Sequence, residues 1–177
     1  GSLTVLRNER DRFVARRSTG RLGGDLTAIV PLLAPDGGVR VVAGQSNYEA
    51  DTEESALGLA RALAFDLRSG APGAALTLLG GDTASVGPLA VADVNGDGWL
   101  DLFVANYKPY NIDDSIPPQR RAFNQMVRQV APGKWEVIPE HARDYKVVLR
   151  PDVGGLRMTQ RATPDEFYRN DRGTFVP

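Results

Sequence analysis

The residues best suited to chemistry in this sequence lie in the short stretch DVNGDGWLD, residues 93–101. It places side-chain oxygens at alternate positions, on Asp93, Asn95, Asp97 and Asp101. Calcium takes about six to eight oxygen ligands in proteins, and a loop whose alternate residues face inward supplies them cheaply. Acidic side chains crowded into one turn repel each other unless a cation lies among them. The pattern therefore predicts a calcium site, with the backbone carbonyl of Trp99 as a further ligand.

Two kinds of calcium loop begin in this way, and the flanking residues distinguish them. An EF-hand loop closes with a glutamate at its twelfth position and lies between helices, but this chain has Val104 at that position. Apolar residues alternate with period two on both sides, at 89–91 and 100–104, which is typical of strands. The alternative is a polar hairpin turn without metal. That alternative explains the glycines but not Asp93 and Asp101 at the strand ends.

The two ends of the chain carry similar segments. LRNERDRFV, residues 6–14, and YRNDRGTFV, residues 168–176, share Arg-Asn, a polar turn and Phe-Val at the same spacing. Each predicts a β-hairpin.

A second internal similarity relates residues 26–45 to residues 89–107. Both are an apolar strand, a glycine-rich turn and a second apolar strand. When VVAG, residues 41–44, is laid over FVAN, residues 103–106, the metal positions fall on Pro31, Leu33, Pro35 and Val39. Residues 26–45 are therefore expected to form the same strand–turn–strand hairpin without the acidic side chains of the metal site.

The repeated pattern predicts four-stranded sheets of the kind found in propeller blades. One sheet would use strands at 26–34, 39–44, 61–67 and 74–79, and the next strands at 88–93, 99–105, 166–169 and 174–176. The expected fold is all-β: about two and a half propeller-type blades with an α/β insertion. Its parts are the last hairpin of a preceding blade at 3–16, a degenerate blade without metal at 24–80, and a calcium-binding blade at 86–177.

An insertion at 108–165 interrupts the second blade. Phe123, Met126, Val127 and Val130 lie at helical spacing, so a helix is expected at about 117–130. KWEVIPE and YKVVLRP follow as two strand-like pieces that could form a hairpin.

With these residues in view, residues 86–107 and 165–177 resemble the FG-GAP/VCBS propeller repeats of integrin alpha chains and of secreted bacterial proteins, especially relatives of cartilage acidic protein and the ASPIC/UnbV proteins. The resemblance is moderate at 3–16 and weak at 24–80. It implies that calcium is bound by Asp93, Asn95, Asp97, Asp101 and the Trp99 carbonyl. It also implies an extracellular or periplasmic binding or scaffolding module.

Composition narrows the possible partners. The chain has 177 residues, a net charge of −1 and no cysteine, so thiolate chemistry is excluded and strong non-specific nucleic-acid binding is not expected. No apolar run is long enough to span a membrane. Gly1-Ser2 is typical of a cloning remnant. Because two and a half blades do not close a ring, the remaining blades are expected from a longer chain or from other copies of this one. The alternative is an open, compact sheet protein in which the insertion covers the free edges.

The sequence favours a binding module over an enzyme. His141 is the only histidine, and no nucleophile elbow or phosphate loop is present. The alternative is an enzyme or biosynthetic accessory protein with its active surface on the insertion, where His141 would join Glu136 or Glu140. A protein or glycan surface could be built by Tyr107, Tyr110, Trp135, His141 and Tyr145. The aromatics of the insertion could equally form its own small core.

Overall fold

The structure is a computed structural model, and it describes residues 1–33, 37–67, 69–109 and 116–177. Strands predominate, which confirms the all-β class. In chain order, the strands β1 to β14 are Thr4–Glu9, Arg12–Ser18, Asp25–Leu33, Val39–Ser46, Ala62–Asp66, Leu76–Leu79, Ala84–Ala92, Asp101–Pro109, Val127–Ala131, Lys134–Val137, Tyr145–Arg150, Gly155–Gln160, Glu166–Asp171 and Thr174–Val176. Among the described residues, the helices are α1, Glu53–Gly58, and α2, Phe123–Met126, with short 3₁₀ turns at Pro118–Arg120, Pro139–His141 and Pro151–Val153. None of the described helices is long and apolar enough to cross a membrane.

The chain forms two compact units. The first unit contains residues 1–110 and 164–177, and the second contains residues 111–163.

Two four-stranded antiparallel sheets make up most of the first unit. The first sheet has the order β3-β4-β5-β6, and the second sheet has the order β7-β8-β13-β14. In both sheets, the order of the strands across the sheet is the same as their order along the chain. The sequence predicted this order. No sheet among the described residues closes on itself. Strand β7 begins at Ala84, earlier than the predicted residue 88, because it continues through Gly87 and Pro88 where the ladder changes register.

The main core lies between the two sheets. Alternation along each strand turns one apolar set inward, and the buried set is Leu32, Val42, Ala62 and Leu79 from the first sheet with Val86, Leu102, Val104 and Tyr168 from the second. The opposite face of the first sheet, with Ala43, Leu63 and Phe65, is covered by Leu3 and Leu22. The opposite face of the second sheet exposes Phe103 and Phe167.

Both predicted terminal hairpins are confirmed. Strand β1 pairs with β2, and β13 with β14, with Asn8 opposite Phe13 and Asn170 opposite Phe175. The turn residue Arg10 has φ 61° and its counterpart Arg172 has φ 52°. The two hairpins therefore share a register and the same left-handed turn residue.

Side-chain hydrogen bonds correct the sequence alignment of the two sheets by one residue. Gln45 donates from Nε2 to the Ala60 carbonyl at 2.6 Å, and Asn106 donates from Nδ2 to the Pro164 carbonyl at 2.6 Å. Both bonds run from the second strand of a sheet to the connection that leads into its third strand. Gln45 thus matches Asn106, and Arg40 rather than Val39 matches Asp101. Fewer residues separate β3 from β4 than separate β7 from β8, so the other metal positions have no one-to-one match there.

The predicted helix at 117–130 is wrong. The chain makes a 3₁₀ turn at Pro118–Arg120 and the four-residue helix α2, and then continues as strand β9 from Val127. The spacing of Val127 and Val130 fits a helix, but β-branched residues also favour strands. Gly133, with φ 74°, turns the chain back into β10.

The pairing predicted between KWEVIPE and YKVVLRP is also wrong. Strand β10 pairs with β9, and β11 pairs with β12. The described part of the second unit, from residue 116 onward, therefore contains two hairpins. Its core consists of the buried residues Ile116, Met126, Val127, Val137 and Tyr145.

Candidate functional site

The acidic turn joins β7 to β8, so the predicted strand–turn–strand is confirmed. Asp93, Asn95 and Asp97 are exposed, whereas Asp101 is only 1% exposed. The turn thus places three oxygen-bearing side chains in solvent and one inside the sheet.

The carboxylate of Asp93 is held by backbone N–H groups of the turn. Its Oδ1 accepts from Gly96 at 2.8 Å and from Asp97 at 3.1 Å, and its Oδ2 accepts from Gly98 at 2.9 Å. Gly96 and Gly98 have φ of 75° and 86°, a left-handed conformation that glycine adopts without strain. These three N–H groups stabilise the negative charge of Asp93. The interpretation of the segment as a plain polar turn had not explained why an aspartate stands at this position.

Asp97 is bound by its neighbours in the turn. Its Oδ1 accepts from the Trp99 N–H and its Oδ2 from the Asn95 amide, both at 2.8 Å. The Trp99 hydrogen bond first, and the Asn95 hydrogen bond second, lower the pKa of Asp97 below 3.8. Both bonds favour the charged form of the carboxyl group. Asp97 is therefore ionised throughout the physiological range.

Substitution Asn95→Ala is expected to raise the pKa of Asp97 while leaving it below 3.8, because the larger cause, the Trp99 N–H, remains. The lowered pKa stabilises the fold above pH 3.8, and this contribution is lost as the pH falls through the folded-state pKa. Carboxyl chemical shifts in an NMR titration measure the change. Val94→Ala, at an exposed neighbouring position, is the control. An Asp97 pKa of 3.8 or above in the unsubstituted protein would contradict the turn geometry.

Asp101 connects three parts of the second sheet. Its Oδ2 accepts from the Val94 N–H at 3.0 Å, and its Oδ1 accepts from the Asn170 N–H at 2.8 Å. Asn170 in turn donates from Nδ2 to the Leu100 carbonyl at 2.9 Å. One buried carboxylate therefore joins the turn, β8 and β13.

The donor set of the turn fits a hard cation. Asp93, Asn95 and Asp97 offer exposed carboxylate and amide oxygens within one short loop, which is the ligand chemistry that calcium prefers. Their oxygens also accept hydrogen bonds from the protein itself. Across the described ranges, no three Asp, Glu, His or Cys side chains converge in an arrangement that could hold a metal ion.

A charged cluster around Arg61 was not predicted from the sequence. Arg61, 7% exposed, pairs with Glu166 at 2.8 Å and donates to the Tyr168 hydroxyl at 3.0 Å and to Asn106 Oδ1 at 3.4 Å. Burial alone would lower the pKa of Arg61, but the hydrogen bond and charge of Glu166, together with the charges of Tyr168 and Asp82, outweigh it and raise the pKa. This side chain, immediately before β5, thus joins the first sheet to the second. In the sequence, the one feature that could have indicated this cluster is a basic residue next to the apolar run ALAF.

Tyr107 lies in a cleft of about 450 Å³ in the first unit. Tyr48, Asp25 and Glu49 also line this cleft. Tyr107 is 59% exposed and Tyr48 is 37% exposed. Exposed tyrosines beside carboxylates suit a sugar or a basic peptide, since they combine an apolar ring with hydrogen-bonding groups.

Three of the other predicted surface residues, Trp135, His141 and Tyr145, are not among the described residues that line this cleft. Trp135 packs against Phe123, with ring centroids 6.4 Å apart, and Tyr145 is buried in the core of the second unit. Both aromatics thus serve the insertion's own core, which is one of the two roles considered for them. His141 ends the 3₁₀ turn Pro139–His141, and Tyr110 lies outside the described residues.

Of the two carboxylates considered for an enzymatic site, Glu136 is poorly suited to acid catalysis. Glu136 is exposed and pairs with Lys134 at 2.7 Å. The hydrogen bond and charge of Lys134 lower the pKa of Glu136, whereas a general acid needs a raised pKa.

No protein-family model matches the chain, and no curated protein or solved structure gives a significant match. The resemblance to FG-GAP/VCBS repeats is thus carried by the residues quoted above.

Proposed function

We propose that this chain is a calcium-stabilised module of propeller-type repeats that binds a protein or glycan ligand outside the cell. The observation that carries the proposal is the acidic turn 93–101, which sits at the junction of two core strands. Its oxygen donors alternate along the chain, and three of them are exposed to solvent.

Calcium would be held by Asp93, Asn95, Asp97 and Asp101 with the Trp99 carbonyl. Bound there, the ion would supply positive charge and stiffness rather than a reaction step. Because Asp101 is hydrogen-bonded to the Asn170 N–H, a stiffened turn would also hold β13 in register. The proposed role of the metal is therefore structural.

The layering of the first unit supports the propeller-type arrangement. Ala43 in the first sheet corresponds to Val104 in the second. Each faces the element that comes before its own sheet in the chain: Ala43 faces Leu3, and Val104 faces the first sheet. Successive sheets thus repeat one orientation, as stacked repeats do.

The cleft with Tyr48 and Tyr107 is the surface that we assign to ligand binding. Its carboxylates, Asp25 and Glu49, would pair with a basic peptide or accept hydrogen bonds from sugar hydroxyls. Asp25 lies on strand β3 and Tyr107 on strand β8 of the first unit, and side chains on strands are positioned more precisely than side chains on loops.

Thermal unfolding in excess calcium and in EDTA tests the metal claim. At about a hundred times its dissociation constant, a ligand adds roughly 2.7 kcal/mol to stability, which moves the midpoint of a domain of this size by several degrees. The variant Asp93→Asn should lose most of this shift, and magnesium in place of calcium controls for general ionic effects. An equal midpoint in calcium and in EDTA would show that the turn is a hairpin without metal.

A further inference from the structure

We propose that the exposed face of the second sheet binds the β1–β2 hairpin of a second copy of this chain, head to tail. The inference goes beyond the calcium-dependent module, since it depends on the order of the layers and not on the metal. Two surfaces carry it. The outer face is defined by Phe103, Phe167 and Val176, and the hairpin face by Leu6, Asn8 and Phe13.

The outer face of the second sheet corresponds to the face of the first sheet that the second sheet covers. Because Gln45 matches Asn106, Val42 corresponds to Phe103, and its partner Ala64 corresponds to Phe167. Val42 is fully buried and Ala64 is 6% exposed, because the second sheet covers that side. Phe103 is 40% and Phe167 46% exposed, and Val176 on the same side is 39% exposed. Adjacent apolar side chains exposed on a regular sheet mark an interaction surface.

The hairpin face is the other half of such an interface. Leu6, Asn8 and Phe13 match Tyr168, Asn170 and Phe175 in sequence, register and turn conformation. Tyr168 is 8% and Asn170 2% exposed, and Phe175 packs against the core between the sheets. In the β1–β2 hairpin the matching residues are open, with Leu6 54% and Phe13 70% exposed.

The existing contact between the sheets shows which surface faces which. There, the hairpin residues Tyr168 and Phe175 belong to the layer that covers Val42 of the preceding sheet. The same relation directs Leu6 and Phe13 toward Phe103 and Phe167. Since both surfaces are open in one chain, a second copy supplies the missing half. The contact joins two different surfaces, so it produces a ring or an open chain of copies rather than a symmetric pair.

Sedimentation velocity over a wide concentration range tests the association. The wild-type chain should form species larger than a monomer, with weak affinity in keeping with a small contact area. Phe13→Ser and Phe103→Ser should each prevent growth beyond the monomer. An equal mixture of the two should form a species of two chains, because each variant keeps the surface that the other has lost. Leu149→Ser, at a position 67% exposed on neither surface, is the matched control and should associate like wild type.

Three results would overturn the proposal. They are a wild-type chain that remains monomeric at every concentration, association that survives both serine substitutions, and a mixture of the two variants that fails to pair. If the mixture fails to pair and only Phe103→Ser, not Phe13→Ser, prevents association, the outer face would bind the same face of a second copy in a symmetric contact. Circular dichroism verifies folding, and Phe167→Ser provides a second test of the outer face if Phe103→Ser unfolds.

Discussion

Arg61→Ala is expected to lower the free energy of unfolding by about 3 kcal/mol. The substitution removes the cation that pairs with Glu166 and leaves the Tyr168 hydroxyl and Asn106 without their guanidinium partner. Glu166 is one third exposed and regains some water, which keeps the loss at the lower end for a broken buried pair. Urea denaturation followed by tryptophan fluorescence measures the change.

The matched control is Arg150→Ala. Arg150 also pairs with a carboxylate at 2.8 Å, that of Asp152, but both partners are more than half exposed. An exposed pair contributes little because water and ions screen it. If the two substitutions have equal effects, the Arg61 cluster does not join the sheets as described.

Asp101→Ala, measured in EDTA, is expected to lower the free energy of unfolding by about 2–4 kcal/mol. A buried N–H that loses its acceptor costs about 1–3 kcal/mol, and this substitution takes acceptors from the N–H groups of Asn170 and Val94. Chelation removes any metal contribution, so the measured loss reports what the buried carboxylate contributes through its contacts within the protein. Chemical denaturation of both proteins in the same buffer provides the comparison.

Asp97→Ala is the control within the same turn. Asp97 is exposed, and its hydrogen bonds stay within the turn, so its removal in EDTA should change stability far less than Asp101→Ala. In calcium, by contrast, both variants should lose the stabilisation expected from the ion. Equal losses from the two variants in EDTA would show that Asp101 is not a structural junction.

Much of the first unit was predictable because its strands are short and alternate with period two between polar or glycine-containing turns. The hairpins at 6–14 and 168–176 follow from such patterns, and so does the order of the two sheets. The start of β7 was missed because Gly87 and Pro88 usually interrupt a strand. Here the ladder shifts register around them instead of ending.

The second unit was less predictable because its apolar spacing permits two structures. Val127 and Val130 lie three apart, which fits a helix, yet the turn at Gly133 pairs their strand with β10. Once β9 had taken β10 as its partner, β11 paired with β12. Local pattern does not determine such a choice, because it depends on which strands meet in the tertiary fold.

The acidic turn itself was predictable from its spacing, but the individual roles of its residues were not. Sequence placed Asp93 and Asp101 together as ligands, whereas the structure separates an exposed carboxylate from a buried one. Arg61 left almost no signal, since its partner Glu166 lies more than a hundred residues away in the chain. Contacts of that range arise only when both sheets are assembled.

The hydrogen bond from Asn106 to Pro164 has a consequence for how this sheet tolerates change. It closes the base of the excursion between β8 and β13, and the Asn106 N–H adds a second tie to Asp165 Oδ1 at 2.9 Å. The two ends of the excursion are therefore pinned together by the sheet itself. Lengthening a closed loop adds only a slowly growing entropy cost. The insertion between β8 and β13 could therefore be replaced by another segment at this position. The eight strands of the two sheets would keep their register.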